Sequence, residues 1–542
     1  MSVPPREGQM SFTHVPFLTN ELLERDSPYR LFHERVLPML EQARAELGKL
    51  YCASNGRPSI EPVVMAGVTL LQFMEKAPDR QAVRQLRLNL GWKYALGLDV
   101  CYAGFDPSSL VNFRRRLVEA GKAKLLFDQV LQTLQEAGLV KPGGKQRLDS
   151  THILGNVATM SRLEVVRETL RLVIEELRDS GQGDELPGWK DLQSRYCDSE
   201  VAWRRQSKEQ LASAFQQAGT DALAVLESVR QQPDRFAASD KTRLLERVFA
   251  EQFEVTAESE KVQVKPREES GTVKNPHDPE AQWTAKDLAR RKHWTGYKAQ
   301  VMETAPESEG PREKGEPTEQ FVTEVVTTEA IASDLEGLKR VECSQQASGQ
   351  PMPAELYVDA AYVTGDTLFE AKEQQRELIG PARPCHEREG ALKAELFTVD
   401  LAKRQASCPA GQVSTQCSRK ADRYHGREVY QFEWGAQCDG CAMQRVCTRS
   451  RSGRRQLCVG EHHDLIQERR WLAQTEAFKK RMHCRNAIEG TISELARLGM
   501  RRTRYRGLLK TALANYLYGA AVNLRRWLRR LAWQLRPAAA TA

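Results

Sequence analysis

The chain has 542 residues, of which 40% are hydrophobic and 28% are charged, with a formal net charge of +8 and a pI near 8.8. This length allows several domains with buried cores. The N-terminal MSVPPREGQMSF has no signal-peptide character, and no apolar run is long enough to span a bilayer, so a secreted or membrane protein is not expected. We expect a cytoplasmic protein whose 12 cysteines are thiols or metal ligands rather than disulfides.

Residues 28–140 are predicted to form helices, because apolar residues recur there at helical spacing. One helix is expected to begin at Asp79, which can cap it. Another follows Asp106 in GFDPSSLVNFRRRL and is predicted to present Arg114 and Arg115 to DNA. A solvated basic face on a helical bundle explains the composition equally well.

A short β-prone stretch, QRLDSTHILGN, follows this helical region and contains an aspartate at its centre. An ionised carboxylate in a strand costs desolvation free energy unless it is paired, so Asp149 needs a partner. An Asx-type turn with Ser150 and Thr151 is the alternative interpretation.

The middle of the chain mixes helices and strands. A charged, helical segment is expected at about 161–260, followed by strand patterns in KVQVK, GYKAQVMET and FVTEVVTT. A helix is expected from Ala330 to Val341. The stretch AELYVDAAY predicts a strand with Asp359 at its carboxyl end, where α/β sheets place ligands, and RELIGPAR predicts a further strand.

Three acids lie at the ends of elements in apolar surroundings: Asp149, Asp359 and Glu489, the last of them on a long helix expected from about His462 to Leu498. Their carboxylates could hold one or two Mg²⁺ ions, which activate the attacking oxygen and stabilise the leaving oxygen at a phosphodiester. As alternatives, Asp359 could cap the next helix, and Glu489 could pair with Arg485 one turn earlier.

The segment 383–460 is irregular, has little apolar content and is rich in cysteine. Cys438 and Cys441 form the CDGC pair, and Cys408 and Cys447 could complete a tetrahedral zinc site. Free thiols in a loop are the alternative, whereas redox catalysis lacks a thioredoxin-like sequence context.

The C-terminal segment is strongly basic, since residues 496–542 contain no Asp or Glu. We predict DNA contacts along RRTRYRGLLK, in particular from Arg501, Arg502, Arg504 and Arg506. We predict core packing for Leu508, Leu513, Leu517 and Val522. An amphipathic helix at a membrane surface is the rival interpretation.

Several of these stretches together resemble the DDE transposases of bacterial insertion sequences, which belong to the RNase H-like, retroviral-integrase superfamily. The stretches that carry the resemblance, over most of the chain, are RPSIEPVVMAGVTLLQF, FDPSSLVNFRRRL, LDSTHILGNVA, NPHDPEAQW, YVDAAYVTGDTL and RNAIEGTISELARLGMRRTRYRGLLKTALANYLYGAAVNLRRW. The resemblance implies that Asp149, Asp359 and Glu489 form a catalytic triad binding Mg²⁺ or Mn²⁺, and that Arg485 contacts a phosphate of DNA.

This sequence departs from the related signature at two positions. Met482 stands where a tyrosine is expected, and Ala496 stands where a lysine is expected, with Arg497 beside it. The motif HDPEA adds Asp278 as a further acid near the site, for which a turn before a helix is the plainer interpretation.

The expected architecture is mixed α/β, with an RNase H-like catalytic core that carries two insertions and follows an all-α domain. The expected parts are an extension at 1–27, a helical DNA-binding domain at 28–140, the catalytic domain at 145–382 and 461–536 with its helical insertion at about 161–260, and the cysteine-rich insertion at 383–460.

The expected reaction is metal-dependent strand cleavage at the element's terminal inverted repeats and strand transfer into target DNA. A homodimer on paired ends, associated with the nucleoid, is expected. A nuclease without strand transfer and an inactive DNA-binding relic are the alternatives.

Overall fold

The described part of the chain, in a computed structural model, comprises residues 2–4, 13–19, 21, 23–52, 58–183, 186–198, 206–232, 239–256, 261–266, 271–287, 292–306, 315–384, 392–421 and 428–536. Helices and strands both contribute to it, so the mixed α/β class predicted from the sequence is confirmed.

The N-terminal region is helical, as its apolar periodicity predicts. Its helices are α1 (Val15–Leu18), α2 (Pro28–Leu31), α3 (Leu37–Gln42), α4 (Arg44–Gly48), α5 (Pro62–Met74), α6 (Asp79–Leu88), α7 (Leu90–Ala95), α8 (Ser108–Glu119) and α9 (Leu125–Glu136), with a π-helical turn at Phe32–Val36. Proline at the first position favours the start of α2 and α5, because its fixed φ suits the first helical turn. The side chain of Asn89 caps α7 by accepting from the N–H groups of Gly91 and Trp92.

The segment that follows the first strand, β1 (Lys145–Leu154), forms a separate helical unit. Its elements are α10 (Arg162–Asp179), α11 (Trp189–Gln193), α12 (Lys208–Gln231), α13 (Asp240–Gln252), β2 (Phe253–Val255) and β3 (Val262–Val264). Ser161 and Ser207 are the N-cap residues of α10 and α12, and each forms a capping box. A distinct apolar cluster that includes Leu170, Ile174 and Val225 holds these helices together.

The central sheet is built on β1 and five later strands: β4 (Gln282–Asp287), β5 (Lys292–Thr304), β6 (Val322–Glu329), β7 (Glu355–Tyr357) and β8 (Glu377–Ile379). β5 is antiparallel to β1 and β6 is antiparallel to β5, whereas β7 is parallel to β1 and β8 is parallel to β7. The order β6-β5-β1-β7-β8 is the arrangement expected of an RNase H-like core, and β4 pairs with the first residues of β5.

The backbones of β1 and β5 approach closely at Gly296, whose φ is 154°. A Cβ atom at this position would lie 2.1 Å from the carbonyl oxygen of Ile153, so the pairing requires glycine there.

The cysteine-rich segment is more regular than its sequence predicts. It contains β9 (Thr398–Asp400), β10 (Gln405–Ser407), β11 (Gln416–Ala421), β12 (Glu428–Glu433) and β13 (Gln456–Gly460), with β11, β12 and β13 in one antiparallel sheet. Phe397, Phe432, Trp434 and Leu457 form a buried cluster of its own. The expectation of an irregular segment with little apolar content was therefore wrong.

The remaining helices flank the central sheet: α14 (Asp334–Ala347), α15 (Gly365–Glu373), α17 (His463–Leu472), α18 (Glu476–Asn486), α19 (Ile488–Leu498) and α20 (Leu508–Gln534), while a short helix α16 (Gln444–Cys447) lies in the cysteine-rich segment. The single long helix predicted between His462 and Leu498 is three helices. The Thr475 side chain caps α18, and α18 ends at Asn486 before α19 begins.

Helix α20 joins the N-terminal helices to the central sheet. Leu513, Leu517 and Val522 are buried, and Leu508 packs at the edge of the same cluster, which confirms the predicted core packing. This cluster also contains side chains of α5, α9, β5 and β6, so the helical region and the sheet share one core. Within the described residues, no helix has both the length and the apolar character needed to cross a bilayer.

Candidate active site and nucleic-acid interface

Asp149 lies in β1, and Asp359 lies two residues beyond the end of the neighbouring parallel strand β7. The register pairs Lys145 with Glu355 and Arg147 with Tyr357, where β7 ends, and the charge of Asp359 acts on Asp149. Asp359 follows the end of β7, and its carboxylate accepts a hydrogen bond of 2.7 Å from the N–H of Ala361. The sheet thus brings two of the three predicted catalytic carboxylates together.

The partner of Asp149 in this structure is Arg485 of α18. Arg485 Nη2 donates to Asp149 Oδ2 at 2.9 Å, and the two side chains are only 15% and 16% exposed. The N–H of Ser150 donates to Asp149 Oδ1 at 2.7 Å. Burial raises the pKa of Asp149, and the charges of Asp359 and Asp334 add to this, whereas Arg485 and the Ser150 N–H act in the opposite direction.

Glu489 lies apart from this pair. It occupies the first turn of α19 and is exposed, while the adjacent Ile488 is buried. Within the described residues, no three His, Cys, Asp or Glu side chains are close enough together to hold a metal ion. The structure therefore brings Asp149 and Asp359 together and leaves Glu489 outside the pair.

A fourth acid, Asp334, lies beside the two aspartates and was missed from the sequence. It is the first residue of α14, its Oδ1 accepts from Ser150 Oγ at 3.2 Å, and Lys298 Nζ lies 3.4 Å away. The buried Tyr362 packs nearby: burial, followed by the charges of Asp334, Asp149 and Asp359, raises the pKa of its hydroxyl far above the ordinary value. In the sequence, Ser333, Asp334 and Glu336 at the start of α14 indicate a helix N-cap, and they do not indicate that Asp334 lies at the site.

A buried polar network fixes helices α18 and α19 against β1. Arg147 Nε donates to Glu303 Oε1 at 2.7 Å, and Arg147 Nη1 donates to the carbonyl oxygen of Cys484 at 2.6 Å. Glu303 Oε2 accepts from Thr491 Oγ1 at 2.5 Å and lies 3.2 Å from Arg526 Nη1. Because Glu303 and its arginine partners are almost completely buried, this network sets the position of the helices that carry the predicted arginine and glutamate.

The basic segment after α19 runs along the end of β1. The N–H of Leu154 donates to the carbonyl oxygen of Arg501 at 2.8 Å, and Arg501 Nε donates to Thr151 Oγ1 at 3.3 Å. Arg501, Arg502 and Arg506 are exposed. Three of the predicted DNA contacts are therefore accessible beside the strand that carries Asp149.

Asp278 and Tyr297 hold the end of this basic segment. The buried Asp278 accepts from Tyr297 Oη at 2.6 Å and from the N–H of Gly507 at 3.1 Å. Asp278 lies in a turn, but the element after it is the strand β4 rather than the helix that was predicted. Its carboxylate anchors the basic segment.

Arg114 does not face solvent, and its prediction as a DNA contact was wrong. It is 5% exposed, its Nη2 donates to Asp79 Oδ2 at 2.6 Å, and its Nη1 donates to Gln72 at 3.3 Å. Its charge is therefore neutralised inside the helical region. Arg115, by contrast, is 60% exposed and lies 3.7 Å from Glu119.

Arg504 is only partly available to a ligand. Its guanidinium lies 5.8 Å from the centre of the Phe73 ring and 5.4 Å from that of Tyr505, and it is 3.9 Å from Asp79. Its side chain is 42% exposed. Arg504 therefore links the basic segment to the N-terminal helices through stacking and charge.

The four predicted zinc ligands line one cavity. Cys408, Cys438, Cys441 and Cys447 surround a space of about 30 Å³ beside Trp434. Burial raises the pKa of the Cys447 thiol; Arg455 lowers it and the other three cysteines raise it. The thiols are therefore neighbours, although they are not drawn together into a closed metal site in the described structure.

Family models match both ends of the chain. A model described as Transposase DDE domain matches residues 407–528, and a model described as Transposase domain (DUF772) matches residues 18–116. No curated protein gives a significant match, and no solved structure does. The first match includes residues 407–460 of the cysteine-rich segment and Glu489, whereas Asp149 and Asp359 lie before it. A transposase domain model matches towards each end of the chain and an RNase H-like sheet lies between the two matches, which is consistent with a DDE transposase of an insertion sequence.

Proposed function

We propose that this transposase cleaves DNA strands at the ends of a mobile element and joins them to target DNA, in a reaction that depends on Mg²⁺ or Mn²⁺. Water attacks a phosphodiester at the element end and releases a 3′-hydroxyl. That hydroxyl then attacks a target phosphodiester, so that one ester bond forms as another breaks. The observation that carries this proposal is that Asp149 in β1 lies within electrostatic reach of Asp359, which follows the parallel neighbouring strand β7.

The carboxylates fit a hard divalent cation. Asp149 and Asp359 would hold it, with Glu489 completing the ligand set when α19 moves towards them. The raised pKa of Asp149 reflects burial and neighbouring negative charge, an imbalance that a divalent cation would relieve. The bound cation supplies activation of the attacking oxygen and stabilisation of the leaving oxygen.

Arg485 has two roles in this proposal. In the free protein it neutralises Asp149. Arg485 Nε is buried and makes no hydrogen bond within the described part of the chain, so the guanidinium has a donor available. When Asp149 turns to the cation, Arg485 would hold a phosphate oxygen of the bound strand through charge-assisted hydrogen bonds.

The DNA strand would follow the exposed basic segment after α19. Arg501 contacts Thr151, two residues beyond Asp149, and Arg502 and Arg506 are exposed on the same segment. Their charges would bind phosphates and orient the scissile bond towards the aspartates. Since both ends of an element must be cut and joined together, a homodimer on paired ends is part of the proposal, as is association with the nucleoid.

The cysteine cavity is proposed as a structural zinc site. Four thiols at one cavity supply the donor set of a tetrahedral zinc, and Cys408, Cys438, Cys441 and Cys447 would be the ligands. Because the segment already has an apolar cluster, the metal would stabilise its loops rather than create the fold.

The test is cleavage and joining of a duplex that carries the element's own inverted repeats, found in the DNA flanking the gene. We expect the wild type to cut and join with Mg²⁺, while Asp149→Asn and Glu489→Gln bind but do not cut. Glu476→Gln is the matched control, since Glu476 is exposed in the first turn of the neighbouring α18 and should be dispensable.

Two outcomes would contradict the proposal. Cutting without joining of a pre-cleaved end would identify a nuclease without strand transfer. Binding without cutting in either Mg²⁺ or Mn²⁺ would identify an inactive DNA-binding relic.

A further inference from the structure

A cavity of about 700 Å³ lies where the N-terminal helices meet the C-terminal helices. It is bounded by α2, by the end of α5 and the two residues after it, and by α19 and α20. Leu71 and Leu498 are buried in its wall, and Tyr29 is partly buried beside them. A concave space of this size, with apolar side chains in its wall and a few polar groups, is typical of small-molecule sites.

Four cationic side chains line this cavity: Lys76, Arg497, Arg525 and Arg529. Arg525 is half-buried and donates to the carbonyl oxygen of Met74 at 3.3 Å, whereas the other three side chains are exposed. Within the described residues, none of the four forms an ion pair. Their positive charges are therefore left without a paired carboxylate.

Two acids also line the cavity, and each is bound by other groups. Glu494 pairs at 3.0 Å with Arg526, which does not line the cavity. Glu75 Oε1 accepts hydrogen bonds from Tyr29 Oη at 3.0 Å and from Trp92 Nε1 at 2.9 Å. Because the cationic side chains outnumber these acids, the cavity carries a net positive charge.

The arginines of the cavity repel one another. Burial lowers the pKa of Arg525, and the charges of Arg529 and Arg497 lower it further, while the charge of Glu494 acts in the opposite direction. Since arginine stays protonated in proteins, this repulsion is not relieved by the loss of a proton. An anion bound between the guanidinium groups would relieve it.

The chemistry of the cavity suits phosphate groups. A guanidinium presents paired N–H donors that match two oxygens of a phosphate, and these charge-assisted hydrogen bonds are stronger than neutral ones. Three guanidinium groups together can hold more than one phosphate. The half-buried Arg525 favours a small ligand that enters the cavity over a duplex, whose phosphates meet exposed side chains first.

We propose that this cavity binds a small molecule bearing two or more phosphate groups, which is held by Arg497, Arg525 and Arg529 together with Lys76. The ligand would bridge α19 and α20, which supply the three arginines. The site is separate from the proposed cleavage chemistry, since none of the proposed catalytic carboxylates lines the cavity.

The test is calorimetric titration of the full chain with inorganic pyrophosphate, at constant ionic strength and with EDTA, so that no divalent cation takes part. We expect the wild type to bind pyrophosphate, and Arg525→Gln and Arg529→Gln each to weaken the binding by about 10- to 100-fold. Arg243→Gln is the control, because that arginine is 67% exposed on α13 of the helical insertion. Without pyrophosphate, the Tm of Arg529→Gln should equal that of the wild type, since the Arg529 side chain is exposed.

A competition with duplex DNA distinguishes the two sources of phosphate. If pyrophosphate binds with unchanged affinity to protein that is saturated with a duplex, the small-molecule site is supported. If the duplex displaces pyrophosphate, the cavity holds the DNA backbone and the small-molecule assignment is overturned.

Two further results would overturn the proposal. One is a wild type whose titration heat and Tm are both unaffected by pyrophosphate. The other is equal affinity for pyrophosphate in the wild type, Arg525→Gln and Arg529→Gln. Neither result bears on the proposed function, which is tested by cleavage and joining.

Discussion

Arg485 reaches from α18 to the β-strand residue Asp149 and donates a hydrogen bond of 2.9 Å to its carboxylate. The two residues are 336 positions apart in the chain, and each is about 15% exposed. An ionised carboxylate inside a strand costs desolvation free energy unless it is paired, and Arg485 supplies the opposite charge for Asp149. The pair also places the positively charged guanidinium of Arg485 at the carboxylate that would bind the proposed metal.

A divalent cation should stabilise the wild type against thermal unfolding. Binding to the folded state alone contributes about 2.7 kcal/mol at roughly 100 times the dissociation constant. Asp149→Asn should abolish the Mg²⁺-dependent rise in Tm, because it removes a ligand. Glu476→Gln should keep it, since that glutamate is exposed and pairs with Lys479 at the surface. An equal Mg²⁺ effect on all three proteins would contradict the metal assignment.

Substitutions around Asp149 should move the acidic limb of the pH–rate profile in opposite directions. The Arg485 charge lowers the pKa of Asp149 and the Asp334 charge raises it. Because the cation needs the ionised carboxylate, Arg485→Gln should shift the loss of activity to higher pH, and Asp334→Asn should shift it to lower pH. The measurement is single-turnover cleavage at subsaturating Mg²⁺ across the acidic range. Shifts in the same direction would show that these charges do not act through Asp149.

The buried network around Glu303 should matter more to stability than a surface ion pair. Glu303→Ala leaves Arg147 buried without its counter-charge and leaves Arg526 paired with Glu494 alone, and we expect a loss of about 3–5 kcal/mol. Glu246→Ala breaks the exposed pair with Arg230 and should cost less than about 1 kcal/mol. Denaturant unfolding of both variants measures the difference, and similar losses would contradict the role assigned to the network.

Arg114 and Arg115 are neighbours in the sequence but should respond differently to substitution. Arg114→Met leaves Asp79 without its main partner in the interior and should destabilise the protein by about 3 kcal/mol or more. Arg115→Met should leave stability almost unchanged, since the side chain is exposed. Unfolding curves test this, and a stable Arg114→Met protein with weakened DNA binding would restore the original prediction for Arg114.

The sequence predicts those parts of the fold and of the candidate site that depend on residues near one another in the chain. Asp149 and Asp359 were predicted because strand patterns surround both of them. Arg114 could also have been placed correctly, since it lies four residues after Leu110 and three before Leu117, on the apolar face of α8.

Other features depend on contacts that no local pattern encodes. Asp334 reaches the site because α14 packs against β5 and β6, and it is 184 positions away in the chain from its partner Ser150. The apolar cluster of the cysteine-rich segment was missed for a similar reason, since its members, such as Phe397 and Leu457, are far apart in the chain. Glu489 follows the break between α18 and α19, which the continuous helical pattern concealed.

The zinc content of the purified protein should depend on the four cysteines at the cavity and on no other cysteine of the segment. Cys441→Ser should purify with substantially less zinc than the wild type, because the substitution removes one of the four thiolates that line the cavity. Cys458→Ser is the control, since Cys458 lies in β13 and does not line the cavity. Elemental analysis of both purified variants gives the zinc content, and chelation should lower the Tm of the wild type and of Cys458→Ser. Equal zinc in both variants, or none in the wild type, would show that these thiols do not form a zinc site.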